Sequence, residues 1–292
     1  MISNSLKTNI ENSLSLFYSK EVKINTIKAV GGGCINNTHL LQSGLGDFFL
    51  KWNKSSFPKM YEKEDFALGF LNKSSSLTVP KPIVYEENDS MSFFILEYIQ
   101  SEKQEDDFWA NFGRKLAQQH LVSENFFGFN HSNYIGSLPQ RNNPKKEWVE
   151  FFILERLEPL LEMAINNSFL SKKEYRSFQS LFYKLDSLFP KEKPALLHGD
   201  LWSGNFMVGN RGEAVIFDPA IYFGHREMDL GMTKLFGGFS EEFYLAYLEV
   251  FPLENAWKER VNLCNIYPLL VHLNIFGSAY YSQLIHNVKQ FI

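Results

Sequence analysis

One segment near residue 200 limits the folds open to this chain more than any other part of the sequence. It covers 198–205 and reads HGDLWSGN, and a shorter segment, FDP, follows at 217–219. A short strand is predicted to lead into the first segment, and 206–208 is predicted to pair with 214–217 across a tight turn. Two carboxylates and one carboxamide are therefore expected on the loops that flank one β-hairpin.

The residue types on these loops suit phosphoryl transfer from a nucleotide. That reaction needs an Asp to orient and deprotonate the attacking hydroxyl, and an Asn and a second Asp to hold a metal ion. Asp200 is the candidate catalytic residue, and Asn205 and Asp218 are candidate ligands of Mg²⁺. An Asx turn is the alternative for Asp200, but the spacing to the other two residues disfavours it. Pro219 replaces the Phe of the DFG motif of protein kinases, which indicates a kinase of small molecules.

A glycine loop and a strand lysine in the N-terminal third suggest where a nucleotide binds. Gly31, Gly32 and Gly33 lie between two predicted strands, and their amides can face phosphate oxygens because no Cβ atoms intervene. A plain hairpin turn is the alternative. Lys51 lies in the next strand but one and is a candidate for contacting the phosphates.

Two glutamates of the following helix could pair with this lysine. Helical periodicity places Glu64 on the apolar face with Met60, Ala67, Leu68 and Leu71, whereas Glu62 falls roughly opposite. A carboxylate on an apolar face needs a counter-charge. We therefore expect Glu64, rather than Glu62, to pair with Lys51 as in the lysine–glutamate pair of kinases.

The order of predicted elements indicates an α+β fold with two lobes. Strands and a helix at 60–72 dominate residues 1–99, which are predicted to form a nucleotide-binding lobe with an antiparallel sheet. Residues 100–292 are mainly helical and are predicted to form the catalytic, acceptor-binding lobe. The backbone of Glu97, Tyr98 and Ile99, just before the polar hinge at 100–105, is a candidate for binding the adenine edge.

Composition and charge exclude several classes of function. The chain has 292 residues, of which 45% are hydrophobic, and a formal net charge of -4, which argues against binding nucleic acid through its backbone charge. No signal-peptide pattern and no apolar run long enough to span a bilayer occur, and the segment 261–281 reads as a buried helix. Cys34 and Cys264 do not form a disulfide framework, so a cytoplasmic, reduced location is expected.

The motifs together resemble a known family. HGDLWSGN at 198–205 is similar to the catalytic loop of the fructosamine kinases, also called ketosamine-3-kinases, and its WSG insert is more specific than HGD alone. DPAIYFGHREMDL at 218–230 and LFGGF at 235–239 also resemble this family. Shorter matches follow in the same order along the chain: FGF at 127–129, YIG at 134–136, PQ at 139–140 and WVEFF at 148–152.

The resemblance implies a protein-kinase-like fold and an ATP-dependent reaction. The expected product is a ketosamine phosphorylated at the 3-hydroxyl, which is labile, so the activity would reverse glycation of small-molecule or protein-bound amines. The family analogy also places Trp202, His225, Arg226 and Glu227 near the acceptor. Fructosamine, ribulosamine and erythrulosamine remain open as substrates, and the sequence does not indicate an oligomeric state.

Two other functions are compatible with parts of the sequence. A kinase of an aminoglycoside, a choline-like alcohol or a simple sugar would share the catalytic residues, but the WSG insert favours a ketosamine. A nucleotide-binding pseudokinase is expected to lack Lys51, Asp200, Asn205 or Asp218, and this chain has all four residues. We therefore expect an active kinase.

Overall fold

The N-terminal part of the chain forms a helix on an antiparallel sheet. A computed structural model describes residues 2–31, 36–54, 57–88 and 91–292. Helix α1 (Asn4–Tyr18) begins after Ser3, whose hydroxyl accepts a hydrogen bond from the amide of Leu6 at 3.1 Å. The five strands have the order β1-β2-β3-β5-β4, and helix α2 (Met60–Ser74) connects β3 to β4. The strands are β1 (Ile24–Ala29), β2 (Asn37–Ser43), β3 (Gly46–Lys54), β4 (Pro82–Glu87) and β5 (Met91–Glu97).

Strand β5 shows why this sheet is covered on both faces. Phe93 and Ile95 point to the face packed against α1, whereas Phe94 and Leu96 belong to the larger core that includes α2. All four side chains are buried, and each contributes roughly 1.5–3 kcal/mol by leaving water. The sheet is therefore held between one small and one large hydrophobic core.

The remainder of the chain is mainly helical and builds most of the larger core. A π-helical segment (Phe152–Leu157) joins the fourth helix to the fifth, and a 3₁₀ turn (Ser278–Tyr280) precedes the last helix. The helices are α3 (Phe108–His120), α4 (Trp148–Phe151), α5 (Glu158–Asn166), α6 (Lys172–Phe182), α7 (Leu185–Leu188), α8 (Glu227–Leu235), α9 (Glu241–Val250), α10 (Trp257–Cys264), α11 (Ile266–Phe276) and α12 (Tyr281–Lys289). The predicted α+β architecture is confirmed.

Three pairs of short strands position the loops identified in the sequence. The pairs are β6 (Asn133–Ile135) with β7 (Leu138–Gln140), β8 (Ala195–Leu197) with β11 (Tyr222–Gly224), and β9 (Phe206–Val208) with β10 (Ala214–Ile216). The loop from β8 to β9 carries Asp200 and Asn205, and the loop from β10 to β11 carries Asp218. The first loop leaves the end of β8, and the second loop leads into the start of β11. Because these two strand ends are paired, the two loops lie side by side.

Buried amides attach the β6–β7 hairpin to the chain that follows Asp218. The Asn133 amide donates to the carbonyl oxygen of Ile221 at 2.9 Å, and the Gln140 amide donates to that of Ala220 at 3.0 Å. The Gln140 amide also bonds Asn133 at 2.8 Å. These bonds satisfy backbone carbonyls that no strand ladder reaches, and they fix one side of the cleft.

A fully buried arginine of the π-helical segment fixes the chain that follows β7. The Arg156 guanidinium lies 4.0 Å from the ring centre of Tyr222 and 4.6 Å from that of Phe151. It donates hydrogen bonds to the backbone carbonyl of Arg141 and to the Asn142 side chain. Aromatic faces and oxygen acceptors together replace the water that the cation loses on burial.

The apolar segment predicted as one buried helix at 261–281 contains the end of α10, the buried helix α11 and the 3₁₀ turn. In α11 the side chains from Ile266 to Val271 are buried, and the helix ends at Phe276. Across the described ranges, no helix is both long enough and apolar enough to cross a membrane. The apolar character of this segment therefore reflects its place in the core.

Candidate active site

The loop that carries Asp200 is shaped by a buried histidine. The Nδ1 atom of His198 accepts a hydrogen bond from the backbone amide of Asp200 at 3.3 Å. Its Nε2 atom lies 3.0 Å from the carbonyl oxygen of Phe217, so this nitrogen is the donor. Burial is the main reason that the pKa of His198 is lowered, which keeps the ring neutral. The imidazole thus connects the two site loops through their backbones.

A buried carboxylate on helix α8 supports the same loop. Asp229 accepts hydrogen bonds from the backbone amides of His198 at 2.7 Å and Gly199 at 2.9 Å. It also lies 3.2 Å from the Nε2 atom of His120. Burial alone raises the pKa of this carboxyl, but these hydrogen bonds outweigh burial and lower it, so Asp229 is ionised.

Asp200 is placed where its proton affinity suits catalysis. Burial and then the negative charge of Asp218 raise the pKa of Asp200 to about 7, and the hydrogen bond from Asn205 opposes that shift. A carboxylate that titrates near neutrality can take a proton from a hydroxyl in the transition state and later release it. The role of Asp200 as the catalytic base stays a prediction.

Asn205 and Asp218 face the same space from the two neighbouring loops. The Asn205 amide nitrogen donates to the backbone oxygen and to the Oδ2 atom of Asp200 at 2.8 and 2.9 Å, which leaves its oxygen to face elsewhere. Asp218 has a left-handed backbone with φ of +56°, a conformation that Asp tolerates better than most residues. The two side chains offer oxygen atoms of the kind that Mg²⁺ binds.

A buried lysine connects the sheet to the second loop. The Lys51 ammonium donates to Glu64 at 2.5 Å and to a carboxylate oxygen of Asp218. Burial opposes protonation, but the two carboxylates raise the pKa of Lys51 overall, so it remains charged. Glu62 instead contacts Lys59 at 3.4 Å on the exposed side of the helix. The helical period therefore identified the correct glutamate.

Trp202 is held beside the catalytic loop by two close approaches of the backbone. A Cβ atom on Gly204 would lie 2.4 Å from the Trp202 indole, so only glycine permits this packing. Gly238, with φ of +94°, approaches Ser203 in the same way, because a Cβ atom on Gly238 would lie 2.7 Å from the Cβ atom of Ser203. The Trp202 and Phe236 ring centres are 5.5 Å apart. The WSG and LFGGF segments of the sequence therefore form one packed unit.

One large cavity brings together six of the predicted site residues. Its volume is about 760 Å³. The predicted residues that line it are Lys51, Glu64, Asp200, Trp202, Asn205 and Asp218. A cavity of this size can hold both a nucleotide and an acceptor. The ligands would lie next to the Lys51 ammonium, the Asp200 carboxyl group and the side-chain oxygens of Asn205 and Asp218.

The structure corrects the placement of three predicted acceptor residues. His225, Arg226 and Glu227 are almost fully buried, and none of them lines the cavity. Arg226 forms hydrogen bonds of 2.8 and 2.7 Å with Glu192, and Glu227 bonds Arg260 at 2.7 and 2.6 Å.

The His225 ring lies 3.2 Å from the Pro190 carbonyl oxygen. These contacts hold the start of α8 against the chain near residue 190 and against helix α10, so the three residues support the fold. The family resemblance placed these residues near the acceptor only because they lie in a shared motif, and a motif does not determine the direction in which a side chain points.

The remaining nucleotide-site predictions fall at the edge of the sheet. Gly31 is exposed with open space around it, whereas Gly32 and Gly33 lie outside the described residues. The segment 97–99 begins at the last paired residue of β5, Glu97, and is half-buried. The Glu97 carboxylate accepts a hydrogen bond from the backbone amide of Lys81 at 2.8 Å. The roles of these residues in binding a nucleotide stay predictions.

Sequence reasoning missed the residues that hold the site from behind. Asp229, Asn133 and Gln140 are buried polar residues, and each bonds the backbone of a segment at least 30 residues away in sequence. Gln140 and Asp229 occur within stretches that match the family, and Asn133 directly precedes one, so that match was the available signal. A polar residue in a motif shared with a family can therefore hold a loop in place through buried hydrogen bonds, as well as take part in the reaction.

Comparison with known proteins assigns the chain to a family. The family model described as fructosamine kinase matches residues 6–292. A chloroplastic protein-ribulosamine 3-kinase of Oryza sativa subsp. indica is 38% identical over 278 residues, covering 94% of this chain and 80% of the relative. Mouse ketosamine-3-kinase is 31% identical over 293 residues, covering 89% and 94%.

Solved structures agree with this assignment at the level of the fold. A crystal structure of a fructosamine-3-kinase-type protein from Haemophilus somnus 129PT superposes with a TM-score of 0.88 at 24% identity, covering 97% of this chain and 96% of that one. A gentamicin complex of the phosphotransferase APH(2")-IIa superposes with a TM-score of 0.64 at 16% identity, covering 100% and 96%. The predicted protein-kinase-like fold is thus confirmed, and the chain belongs to the fructosamine kinase family.

Proposed function

We propose that this protein transfers the γ-phosphoryl group of ATP to the 3-hydroxyl of a ketosamine, the adduct of a sugar with an amine. The observation that carries the proposal is the meeting of Asp200, Asn205, Asp218 and Lys51 in one cavity. The kinase family and the names of the rice and mouse relatives support the substrate class. Phosphorylation at this position labilises the adduct, so the activity serves to reverse glycation.

Asp200 provides the base for the transfer. Its carboxylate accepts the proton of the acceptor hydroxyl as that oxygen forms a bond to the γ-phosphorus, and the bond from phosphorus to the β,γ-bridging oxygen breaks. The pKa of Asp200, raised to about 7 by burial and by Asp218, gives the carboxylate enough proton affinity for this step. The Asn205 amide keeps the carboxylate oriented through its hydrogen bond of 2.9 Å.

Lys51, Asn205 and Asp218 handle the charge of the phosphates. Lys51 is buried and charged, and its contact with Asp218 shows that it reaches the loop where phosphates are expected. Asn205 and Asp218 would hold Mg²⁺, which retains several ligands from water and phosphate and therefore needs few from the protein. The bound ion supplies neutralisation of the negative charge that develops during transfer.

The nucleotide and the acceptor are proposed to occupy different parts of the molecule. Residues 1–99 would bind ATP through the glycine loop at 31–33, Lys51 and the backbone of 97–99. Residues 100–292 would supply the catalytic loop and, through Trp202, contact the acceptor. Ribulosamine and fructosamine adducts, on protein lysines or on free amines, are all candidate acceptors. A cytoplasmic location stays a prediction, and the rice relative is named as a chloroplastic protein.

Consumption of ATP by the purified protein with Mg²⁺ tests the proposal. The acceptors are ribuloselysine and fructoselysine, with choline, kanamycin and glucose run beside them under the same conditions. We expect turnover on the ketosamines alone, with phosphate at O3 by NMR. Turnover on another acceptor only would keep the fold and the base but reject the substrate, and ATP binding without any turnover would indicate a pseudokinase.

A further inference from the structure

A group of aromatic side chains forms one wall of the cavity that contains Asp200. We call Trp202, Phe236, His272, Phe276 and Tyr280 the aromatic wall, because all five line this cavity. Their rings form a continuous series, with centre-to-centre distances of 5.5 Å from Trp202 to Phe236, 5.1 Å from Phe236 to His272, and 4.9 Å from His272 to Tyr280. The wall therefore connects the catalytic loop to helix α11 and to the 3₁₀ turn that follows it.

Two members of the aromatic wall expose much of their apolar surface to the cavity side of the molecule. Phe236 is 39% exposed and Phe276 is 45% exposed. The two rings lie on either side of His272, at 5.1 and 5.4 Å between ring centres. Exposed aromatic rings grouped in a concave site are typical of surfaces that a ligand covers.

The histidine in the wall has a free hydrogen-bond acceptor. Its Nδ1 atom lies 2.7 Å from the carbonyl oxygen of Pro268, one turn earlier in α11, so Nδ1 carries the proton. Burial is the main cause that lowers the pKa of His272, and the ring is neutral at physiological pH. The Nε2 atom then has a lone pair, and it forms no hydrogen bond with any residue in the part of the chain that the structure describes.

The charges around the cavity do not provide a carboxylate at this wall. Glu64, Asp200 and Asp218 are the acidic residues among the described lining residues, and none of them belongs to the aromatic wall. Glu64 and Asp218 already bond Lys51, and Asp200 is required for the proton transfer. A cation at the wall must therefore be held by ring faces and by neutral acceptors.

We propose that the aromatic wall is the subsite for the protonated amine of the acceptor and for the first carbons of its aglycone. His272 Nε2 accepts a hydrogen bond from the ammonium, while Phe276 and Tyr280 present their ring faces to its charge and to the attached methylenes. The inference rests on the proposed function, because it names how that acceptor is recognised. It makes the amine, rather than the sugar alone, a determinant of specificity.

A pair of acceptors that differ in one atom tests this subsite. The first is a ketosamine with a simple alkylamine, and the second is its ether, in which oxygen replaces the amine nitrogen and no charge forms. We expect kcat/KM of the wild-type protein to favour the amine by about tenfold, the range of a desolvated cation–π contact. His272→Phe and Phe276→Leu should each reduce this ratio several-fold and leave the KM for ATP unchanged.

An exposed aromatic residue outside the cavity provides the matched control. Phe66 is 43% exposed and stacks on Phe70 in α2, and it does not line the cavity. Phe66→Leu should therefore keep the wild-type ratio of amine to ether turnover. A change of the same size in this variant would attribute the effect to general loss of packing and overturn the proposal.

The outcomes separate this inference from the proposed function. If ketosamines are turned over but both wall variants keep the wild-type ratio, the wall is a packing feature and the inference fails alone. If His272→Phe lowers turnover of amine and ether equally, the ring only shapes the cavity, which also contradicts an ammonium subsite. Absence of turnover on every ketosamine would reject the proposed function and this inference together.

Discussion

At the scale of single residues, the chemistry depends on how the surroundings change one carboxyl group. Asp200 lies close to Asp218, and burial together with that neighbouring charge raises its pKa to about 7. An Asp on an open surface titrates near 3.9, which is too weak a base for a sugar hydroxyl. The difference arises from the fold around the loop, because an Asp in an unfolded chain has no such neighbours.

Replacement of Asp200 by Asn should separate catalysis from nucleotide binding. The amide keeps the shape and the hydrogen-bond reach but cannot accept the proton, so we expect kcat to fall by about 10²–10⁴. The affinity for Mg²⁺-ATP should stay near the wild-type value, since Asp200 is not a proposed phosphate or metal ligand. Steady-state kinetics and titration calorimetry measure the two quantities, and wild-type turnover would refute the assigned role.

The packing of Trp202 on Gly204 makes a second prediction at this scale. In Gly204→Ala the new methyl group would lie 2.4 Å from the indole, so the ring must move. We expect kcat/KM for the ketosamine to fall about tenfold, since overpacking of this kind costs about 1–3 kcal/mol. The KM for ATP should not change.

Another glycine provides the control for this substitution. Gly69 lies within helix α2, and a Cβ atom built on it meets nothing within 4 Å. Gly69→Ala should therefore leave both kinetic constants near wild type and stabilise the protein slightly. Equal losses in the two variants would show that the close contact at Trp202 is not the cause.

At the scale of elements, helix α8 fixes the catalytic loop through Asp229. The buried carboxylate joins the backbone amides of 198–199 to His120, so three elements meet at one side chain. Removal of a buried hydrogen-bond acceptor leaves its donors unsatisfied and costs about 1–3 kcal/mol. The geometry of the loop is thus maintained by a side chain that is buried behind it.

The stability that Asp229 provides should depend on pH. Its pKa is lower in the folded protein than in the unfolded chain, so its contribution is complete above about pH 4 and is lost as the pH falls through the folded value. Urea unfolding should show Asp229→Asn to be less stable than wild type at pH 7, and the difference should shrink toward pH 3. A difference that stays constant over this range would contradict the assignment.

Element boundaries show what local sequence patterns can and cannot predict. Helix α2 begins at Met60, as periodicity predicted, and extends two residues beyond the expected end, to Ser74. Within the region predicted to be mainly helical, residues 172–188 form two helices and not one, because the chain turns after Phe182 before α7 begins. The amphipathic pattern of the sequence continues through such a turn, because both helices bury their apolar side chains in the same core. The pattern therefore does not show where one helix ends and the next begins.

At the scale of the whole molecule, the cavity joins the N-terminal sheet to the catalytic loops. Lys51 in β3 and Asp218 are 167 residues apart in sequence, yet their side chains are bonded. Ligands in this cavity therefore contact both parts of the chain and should stabilise them together, by about 2.7 kcal/mol at a hundredfold excess over Kd.

Thermal unfolding should reveal this coupling and its dependence on the metal ion. We expect Mg²⁺-ATP to raise Tm by about 5 °C, and ATP with EDTA to raise it less, since the proposed metal ligands then have nothing to hold. In Asp218→Ala the increment due to Mg²⁺ should disappear while any effect of ATP alone remains. Equal shifts with and without Mg²⁺ in the wild-type protein would argue against a metal site at Asn205 and Asp218.

The sequence by itself determined the catalytic segment and the lysine–glutamate pair. Asp200 and Asn205 are five residues apart on one loop, and the helical period alone separated Glu64 from Glu62. The spacing on one loop and the face of a residue on one helix both depend on the local backbone, so contacts with distant residues do not change them.

Only the tertiary structure decided which distant residues complete the site. It placed His272 of α11 and Tyr280 of the following 3₁₀ turn in one cavity with Trp202, and it buried the segment 225–227 in the core, against expectation. The physical reason is that the direction of a side chain in space depends on how whole elements pack. No local pattern encodes that packing, because it is set by the total burial of apolar surface across the molecule.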